Sequence, residues 1–458
     1  MPVLLDSTLR EGELFRAFPQ EVKVRVAEAL AEAGVKRIEL TVDYPPRTSR
    51  EDVERVVEVL RSYPVEVVIH GRAYRRDVEA AAGYDVDGVG VYIAPTKLHR
   101  EYKLGGIGYR EAVERLKEAV ELAGELGFRY RRATVEDASR FYVEGEVSEL
   151  AGLVDELGEA GATLVSVPDT SGLLTPPQAA DLFRRLKEAC RTPLAAHFHN
   201  DYGHASANTV EAALNGAEEL HATILGIGDR NGIADLYEVA AALHDIHGVD
   251  VGVRRDRMAG LYRTFSRLTG IKIPFRHPLS EEARTVRAGV HQSMVIKRPE
   301  GYIPRGKLEH DFEGAAFEAT PYLSRKIIAE ILRGKVGEDE IRRAAETLAQ
   351  EAYRRGGRLT AKRVKETLGK MGYEIDEGRV DRLFQSERAY ILLNLDPRYP
   401  VRNLLERLSE WGDVEQVDEV YGDADLVVVA RVRPGGVVEK LRKEFSDAIE
   451  RMRILITD

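Results

Sequence analysis

The sequence predicts an α/β fold: a (β/α)8 TIM barrel, then helical linker subdomains, then a C-terminal ferredoxin-like α+β domain. Three observations carry that reading. Short apolar runs alternate with helical patterns eight times, over about 245 residues, close to the usual length of a closed barrel. After about residue 250 the alternation stops and prolines gather, at Pro274, Pro278, Pro299, Pro304 and Pro321. The last stretch then switches to the order βαββαβ, the ferredoxin-like arrangement. The expected domains are therefore 1–270, 271–385 and 386–458.

The elements follow in order. Barrel strands are expected at Val3–Leu5, Arg37–Val42, Glu66–Ile69, Gly88–Ala94, Phe128–Glu136, Leu164–Val167, Leu194–His199 and Leu220–Ile227. Helices between them include Glu21–Ala33, Arg50–Arg61, Arg110–Leu126, Glu149–Glu159 and Pro177–Ala189, where apolar residues recur three and four apart. The middle region carries helical patterns at Leu323–Leu332 and Glu338–Arg354. The C-terminal region reads strand Arg388–Asp396, helix Val401–Trp411, strands Val414–Tyr421 and Asp425–Val432, helix Gly436–Glu450 and strand Met452–Thr457.

Composition narrows the function classes. The 458 residues are 43% hydrophobic, enough for a large core. Lys and Arg total 67 against 77 Asp and Glu, a net charge of −10, which argues against generic nucleic-acid binding. The single cysteine, Cys190, excludes an internal disulfide framework and a multi-cysteine metal site, and fits a cytoplasmic protein. No run of about 18 apolar residues is present, so no membrane span is expected. Asp6, already inside the first strand, leaves no room for a signal peptide ahead of it.

A barrel of this kind does its chemistry where strands end. Polar residues cluster at those ends: Asp6–Glu11, Glu136-Asp137, Asp169-Thr170, His197–Asn200 and Gly226–Gly232. His197 and His199, two apart on a strand, share a face. Two imidazoles there, with the Glu11 carboxylate from another strand, suit one divalent cation. That donor set fits Zn, Mn, Co or Mg. Arg10 beside Glu11 suits the stabilising of a developing oxyanion or enolate.

The segments Asp6–Glu13 (DSTLREGE), His197–Asp201 (HFHND) and Leu225–Gly232 (LGIGDRNG) resemble the signatures of the metal-dependent Claisen-condensing acyltransferases, the 2-isopropylmalate/homocitrate synthase family of the DRE-TIM metallolyase superfamily. The resemblance implies Glu11, His197 and His199 as metal ligands, Arg10 as the catalytic arginine and acetyl-CoA as co-substrate. Arg-Glu at the end of the first strand, and Arg132 through Thr134 to Glu136-Asp137 on the fifth, are similar to the homocitrate synthase pattern. There the arginine grips the distal carboxylate of 2-oxoglutarate, because a second carboxylate entering a barrel must be paired and a bidentate arginine is the usual partner.

By the same likeness Arg10, Tyr74, Arg132, Thr134 and Thr170 bind substrate. His291, in Arg287–His291 (RAGVH), is the general base reaching a neighbouring subunit's barrel, assisted by Tyr322 and Glu136. The implied reaction makes homocitrate and CoA, a step of lysine biosynthesis through aminoadipate, in a homodimer or larger assembly. Two positions depart from the pattern: Leu14 replaces a glutamine and Tyr74 a histidine. The alternatives are Re-type citrate synthase, 2-isopropylmalate synthase and citramalate synthase, or a sensor whose barrel no longer catalyses.

At the C-terminus, Glu387–Leu393 (ERAYILL) and Val420–Asp425 (VYGDAD) resemble the amino-acid-sensing RAM domain of Lrp/AsnC-type regulators. The likeness implies a pairing module with an amino-acid effector such as lysine. No helix-turn-helix accompanies it, so no DNA partner is expected.

Overall fold

The structure, a computed structural model, describes residues 1–42, 48–312, 314–334, 336–384, 388–409, 411, 414–431 and 437–456. The chain divides into two compact units, Met1–Thr269 and Gly270–Asp458.

In the first unit eight parallel strands close a barrel in sequence order. They are β1 (Val3–Asp6), β2 (Arg37–Thr41), β3 (Glu66–Arg72), β4 (Gly88–Ile93), β5 (Tyr130–Val135), β6 (Leu164–Asp169), β7 (Leu194–Phe198) and β8 (Glu219–Ala222). The longer helices between them each bury an apolar stripe. In the helix Arg50–Leu60, for example, Val53, Val56, Val57 and Leu60 are buried, and Ser49 caps its start by accepting the amide of Asp52.

The barrel interior is layered. At its base Val68, Tyr130, Leu164 and Ala195, from β3, β5, β6 and β7, form an apolar cluster. One step along each strand the inward positions turn polar: His70, Arg132, Ser166 and His197. On β4 the inward positions are glycines. A Cβ on Gly88 would sit 2.5 Å from Tyr130 Cβ, and one on Gly90 2.6 Å from Arg132 Nη2. The missing side chains on β4 are what admit the bulky residues of β5.

β8 is shorter than its apolar run predicts. It ends at Ala222, and the chain turns through Ile224–Gly226, where Leu225 takes φ 61° and Gly226 N donates to Thr223 O. Apolar composition continues past the strand because Ile224 and Ile227, in and just after this turn, are buried.

In the second unit a small helical core joins two short strands, β9 (Thr285–Val286) and β10 (Ala316–Phe317). It is centred on Ile327, Ile328, Ile331, Leu348, Val364 and Leu368. The helices Arg325–Ile331 and Glu338–Arg354 match the expected patterns. The helices Ala361–Lys370 and Glu377–Leu383 were not among the expected elements.

The four strands β11 (Arg388–Leu395), β12 (Val414–Glu419), β13 (Leu426–Arg431) and β14 (Ile449–Ile456) form an antiparallel sheet in the order β12-β13-β11-β14. The helices Val401–Ser409 and Val437–Glu444 contribute Leu404, Leu408 and Leu441 to the core on this sheet. The order βαββαβ is the ferredoxin-like one. The last helix ends at Glu444, six residues early, because Ile449 is already paired with Leu395. The expected boundary at 386, the motif residue Glu387 and the element ends at Val432, Gly436 and Thr457 lie outside the described residues. Among the described residues no helix is long and apolar enough to cross a membrane.

Candidate metal and active site

A cavity of about 570 Å³ opens at the C-terminal ends of the barrel strands. Arg10, Glu11 and Leu14 follow β1. Thr41, His70, Arg72 and Tyr92 come from β2 to β4, and Arg132, Thr134 and Glu136 from the β5 segment. Ser166, Thr170, His197, His199 and His221 complete the wall, with Asp229 and Arg230 beyond β8.

His197 and His199 share the inward face of the β7 segment, with ring centroids 5.2 Å apart. Burial, then the neighbouring imidazoles, pushes His197 well below the usual histidine range. Burial lowers His199 as well, against the opposing pull of Glu11. Both rings are therefore neutral near pH 7, the form that binds metal. His199 Nδ1 is buried with no hydrogen-bond partner. An orphaned imidazole nitrogen at a cavity wall, beside a second neutral imidazole and a carboxylate, fits a divalent cation.

Glu11 reaches the same cavity, 3% exposed. Its Oε2 accepts from Arg10 Nη1 at 2.6 Å and its Oε1 from the amide of Asp229 at 3.1 Å. Among the described residues, Glu11, His197 and His199 do not make a group whose ligand atoms all lie within 4.8 Å of one another. The Glu11 carboxylate is engaged instead by Arg10 and the Asp229 amide.

Arg10 and Arg132 are tied together by Glu39. Arg10 Nε donates to Glu39 Oε2 at 2.6 Å, Ser7 Oγ donates to the same oxygen at 2.7 Å, and Arg132 Nη2 pairs with Oε1. Burial works to raise the Glu39 carboxyl, but the two guanidinium groups outweigh it and hold it well below the usual carboxylate range. Arg132 is 1% exposed and also meets His70 Nδ1 at 2.9 Å, His221 Nε2 at 3.1 Å and Tyr130 OH at 3.3 Å. Glu219 lies 3.5 Å from its Nη1. The expected substrate arginine is thus at the cavity wall but already carries a structural ion network.

Three buried donors on that wall have no partner: Arg132 Nε, Thr134 Oγ1 and Ser166 Oγ. Thr134 and Ser166 face each other across the β5–β6 ladder. Thr170 Oγ1 accepts the amide of Asp137, leaving its hydrogen to donate. Glu136 lines the cavity with both oxygens held by Lys103 Nζ, at 2.5 and 2.7 Å.

Tyr74 is placed elsewhere. It is 41% exposed at the start of the helix Arg75–Ala81, under the Arg72 guanidinium, and does not line the cavity. From that segment His70, stacked on Tyr92 at 5.1 Å, and Arg72, bidentate on Asp77, face the cavity instead. His291 and Tyr322 lie in the second unit. His291 is exposed and stacks on Tyr302 with centroids 4.0 Å apart. Tyr322 is 75% exposed, and its carbonyl oxygen lies 2.2 Å from where a Cβ on Gly289 would be.

Sequence reasoning missed Glu39, His70, Glu219 and His221. Each sits at an inward position of a barrel strand, Glu219 and His221 two apart on β8, so the period-2 pattern held the signal.

A family model described as HMGL-like matches residues 1–263. A probable 2-isopropylmalate synthase of Methanopyrus kandleri is 36% identical over 305 residues, 66% of this chain and 59% of that protein. An (R)-citramalate synthase of Methanocaldococcus jannaschii is 34% identical over 304 residues, 66% of this chain and 60% of that protein. A homocitrate synthase of Methanopyrus kandleri is 33% identical over 305 residues, 66% of this chain and 75% of that protein. This chain spans about three fifths of the length of the first two.

Proposed function

Because the chain belongs to the HMGL-like family, we propose that it is a metal-dependent enzyme condensing acetyl-CoA with a 2-oxo acid, and more narrowly a homocitrate synthase taking 2-oxoglutarate. The observation that carries the reading is a single cavity that holds both Glu11, His197 and His199 and a set of unengaged donors.

Glu11, His197 and His199 hold the cation. When bound, a divalent ion supplies Lewis-acid polarisation of the oxo acid's keto group. Arg10 stands next to Glu11 and steadies negative charge that develops on oxygen. Arg132 Nε, Thr134 Oγ1 and Ser166 Oγ take up the substrate carboxylate, with Thr170 beside them, and burial strengthens each of those hydrogen bonds. His291 removes the acetyl methyl proton, with Tyr322 and Glu136 assisting. Supplied by a second copy, His291 makes the working assembly at least a dimer. The C-terminal sheet is the amino-acid-sensing module, with an amino acid such as lysine as its effector.

One observation favours a second reading. Arg132 is matched by Glu39 and Glu219, so the wall offers little net positive charge to a second carboxylate. That suits a monocarboxylic oxo acid, as in a 2-isopropylmalate or citramalate synthase. The two readings separate in a panel of 2-oxoglutarate, oxaloacetate, 2-oxoisovalerate and pyruvate, each with acetyl-CoA and metal, following release of CoA thiol. The highest kcat/KM with 2-oxoglutarate supports the first reading. Preference for pyruvate or 2-oxoisovalerate moves the assignment to the second. No oxo-acid-dependent thiol release with any of them defeats both.

A further inference from the structure

We propose that Glu219 and His221 on β8 form a positioning device for His197, fixing the tautomer in which its Nε2 is offered to the cation. The inference rests on the metal-site reading above and adds to it a pair of residues that act through His197.

Two residues apart on one strand, Glu219 and His221 both enter the barrel. Glu219 is surrounded by donors. Tyr130 OH donates to Oε1 at 2.8 Å, and Arg37 Nη1 pairs with Oε2. His221 Nε2 lies 2.8 Å from the same Oε1. A carboxylate among donors only accepts, so His221 carries its hydrogen on Nε2. Arg132 Nη1 also approaches that nitrogen, at 3.1 Å, and Tyr130 OH, at 3.3 Å; the shorter contact to the Glu219 carboxylate is the one that takes the ring hydrogen.

The consequence passes along the pair. With Nε2 protonated, the neutral His221 presents a lone pair at Nδ1. That atom faces His197 Nδ1 at 3.3 Å. Two lone pairs there would repel, so His197 donates from Nδ1 and keeps its lone pair on Nε2. Metal-bound histidines commonly have their second nitrogen fixed by a hydrogen bond to a carboxylate, carbonyl or water. Here an imidazole does that work, anchored in turn by a carboxylate at the barrel base.

The test uses the full chain, stripped of metal. Selective 15N labelling of histidine reads the His197 tautomer, and calorimetric titration with Co²⁺ reads affinity. The expected tautomer is Nδ1–H. His221→Phe removes the acceptor and is expected to weaken Co²⁺ binding by about 10- to 100-fold. His221→Asn, which keeps an accepting oxygen, restores most of it. Glu219→Gln, of equal volume, shares part of the loss and keeps the test open if His221→Phe fails to fold. An Nε2–H tautomer in the wild type, or variants binding Co²⁺ within twofold of it, overturns the proposal alone. A wild-type chain that takes up no Co²⁺ overturns the metal reading and the proposal together.

Discussion

Arg132 and its neighbours Thr134 and Ser166 separate two jobs that one wall performs. Arg132 holds Glu39 and Glu219 inside the barrel, so its removal leaves buried charge uncompensated. Arg132→Met is expected to destabilise the fold by about 3–5 kcal/mol, whatever it does to catalysis. Thr134→Val and Ser166→Ala remove hydroxyls that bond nothing in the protein. Their stability is expected to hold, while KM for the oxo acid rises by about tenfold or more, the worth of a hydrogen bond to a charged group. Denaturant unfolding and steady-state kinetics on the same variants check both halves. The residues that define the cavity mouth were legible because they cluster after strands. The interior ones were not, because one Glu39 inside Arg-Ile-Glu-Leu-Thr is ambiguous until the strand's inward face is known.

At the scale of the element, β8 links the cavity to the barrel base. Burial works to raise Glu219, but the hydrogen bond from His221, then Arg132 and Arg37, bring it down to about 2. A carboxyl whose pKa falls on folding stabilises the fold fully above its ordinary value near 4.5 and loses that contribution as pH falls towards 2. The shift corresponds to roughly 3 kcal/mol. Glu219→Gln is therefore expected to flatten the loss of stability below pH 4.5, seen in unfolding curves at successive pH values. An equally steep loss in the variant contradicts the assignment. Element identity was largely legible from periodicity. The ends of β8 and of the last helix were not, since a buried turn after Ala222 and a strand pairing at Ile449 leave no local mark in composition.

At the scale of the whole molecule, the barrel was legible from eight repeats of one unit, and the C-terminal sheet from its change of order. The helices Ala361–Lys370 and Glu377–Leu383 escaped notice because each is short and polar, with a stripe as narrow as Val364 and Leu368. The sheet buries one face against its helices and leaves Tyr390 and Leu455 exposed. If the module senses amino acids, lysine titrated into the full chain gives a saturable heat and lowers the rate of condensation. Absence of both effects removes the regulatory role and leaves the barrel chemistry standing.

The central claim is that Glu11, His197 and His199 converge on one divalent ion. The most direct measurement is an anomalous difference map from crystals of the protein grown with Mn²⁺ or Zn²⁺. The account predicts one peak in the barrel mouth, about 2.0–2.2 Å from a nitrogen of each histidine and an oxygen of Glu11. Metal bound elsewhere, or Glu11 still turned onto Arg10 with no peak between the imidazoles, would contradict it.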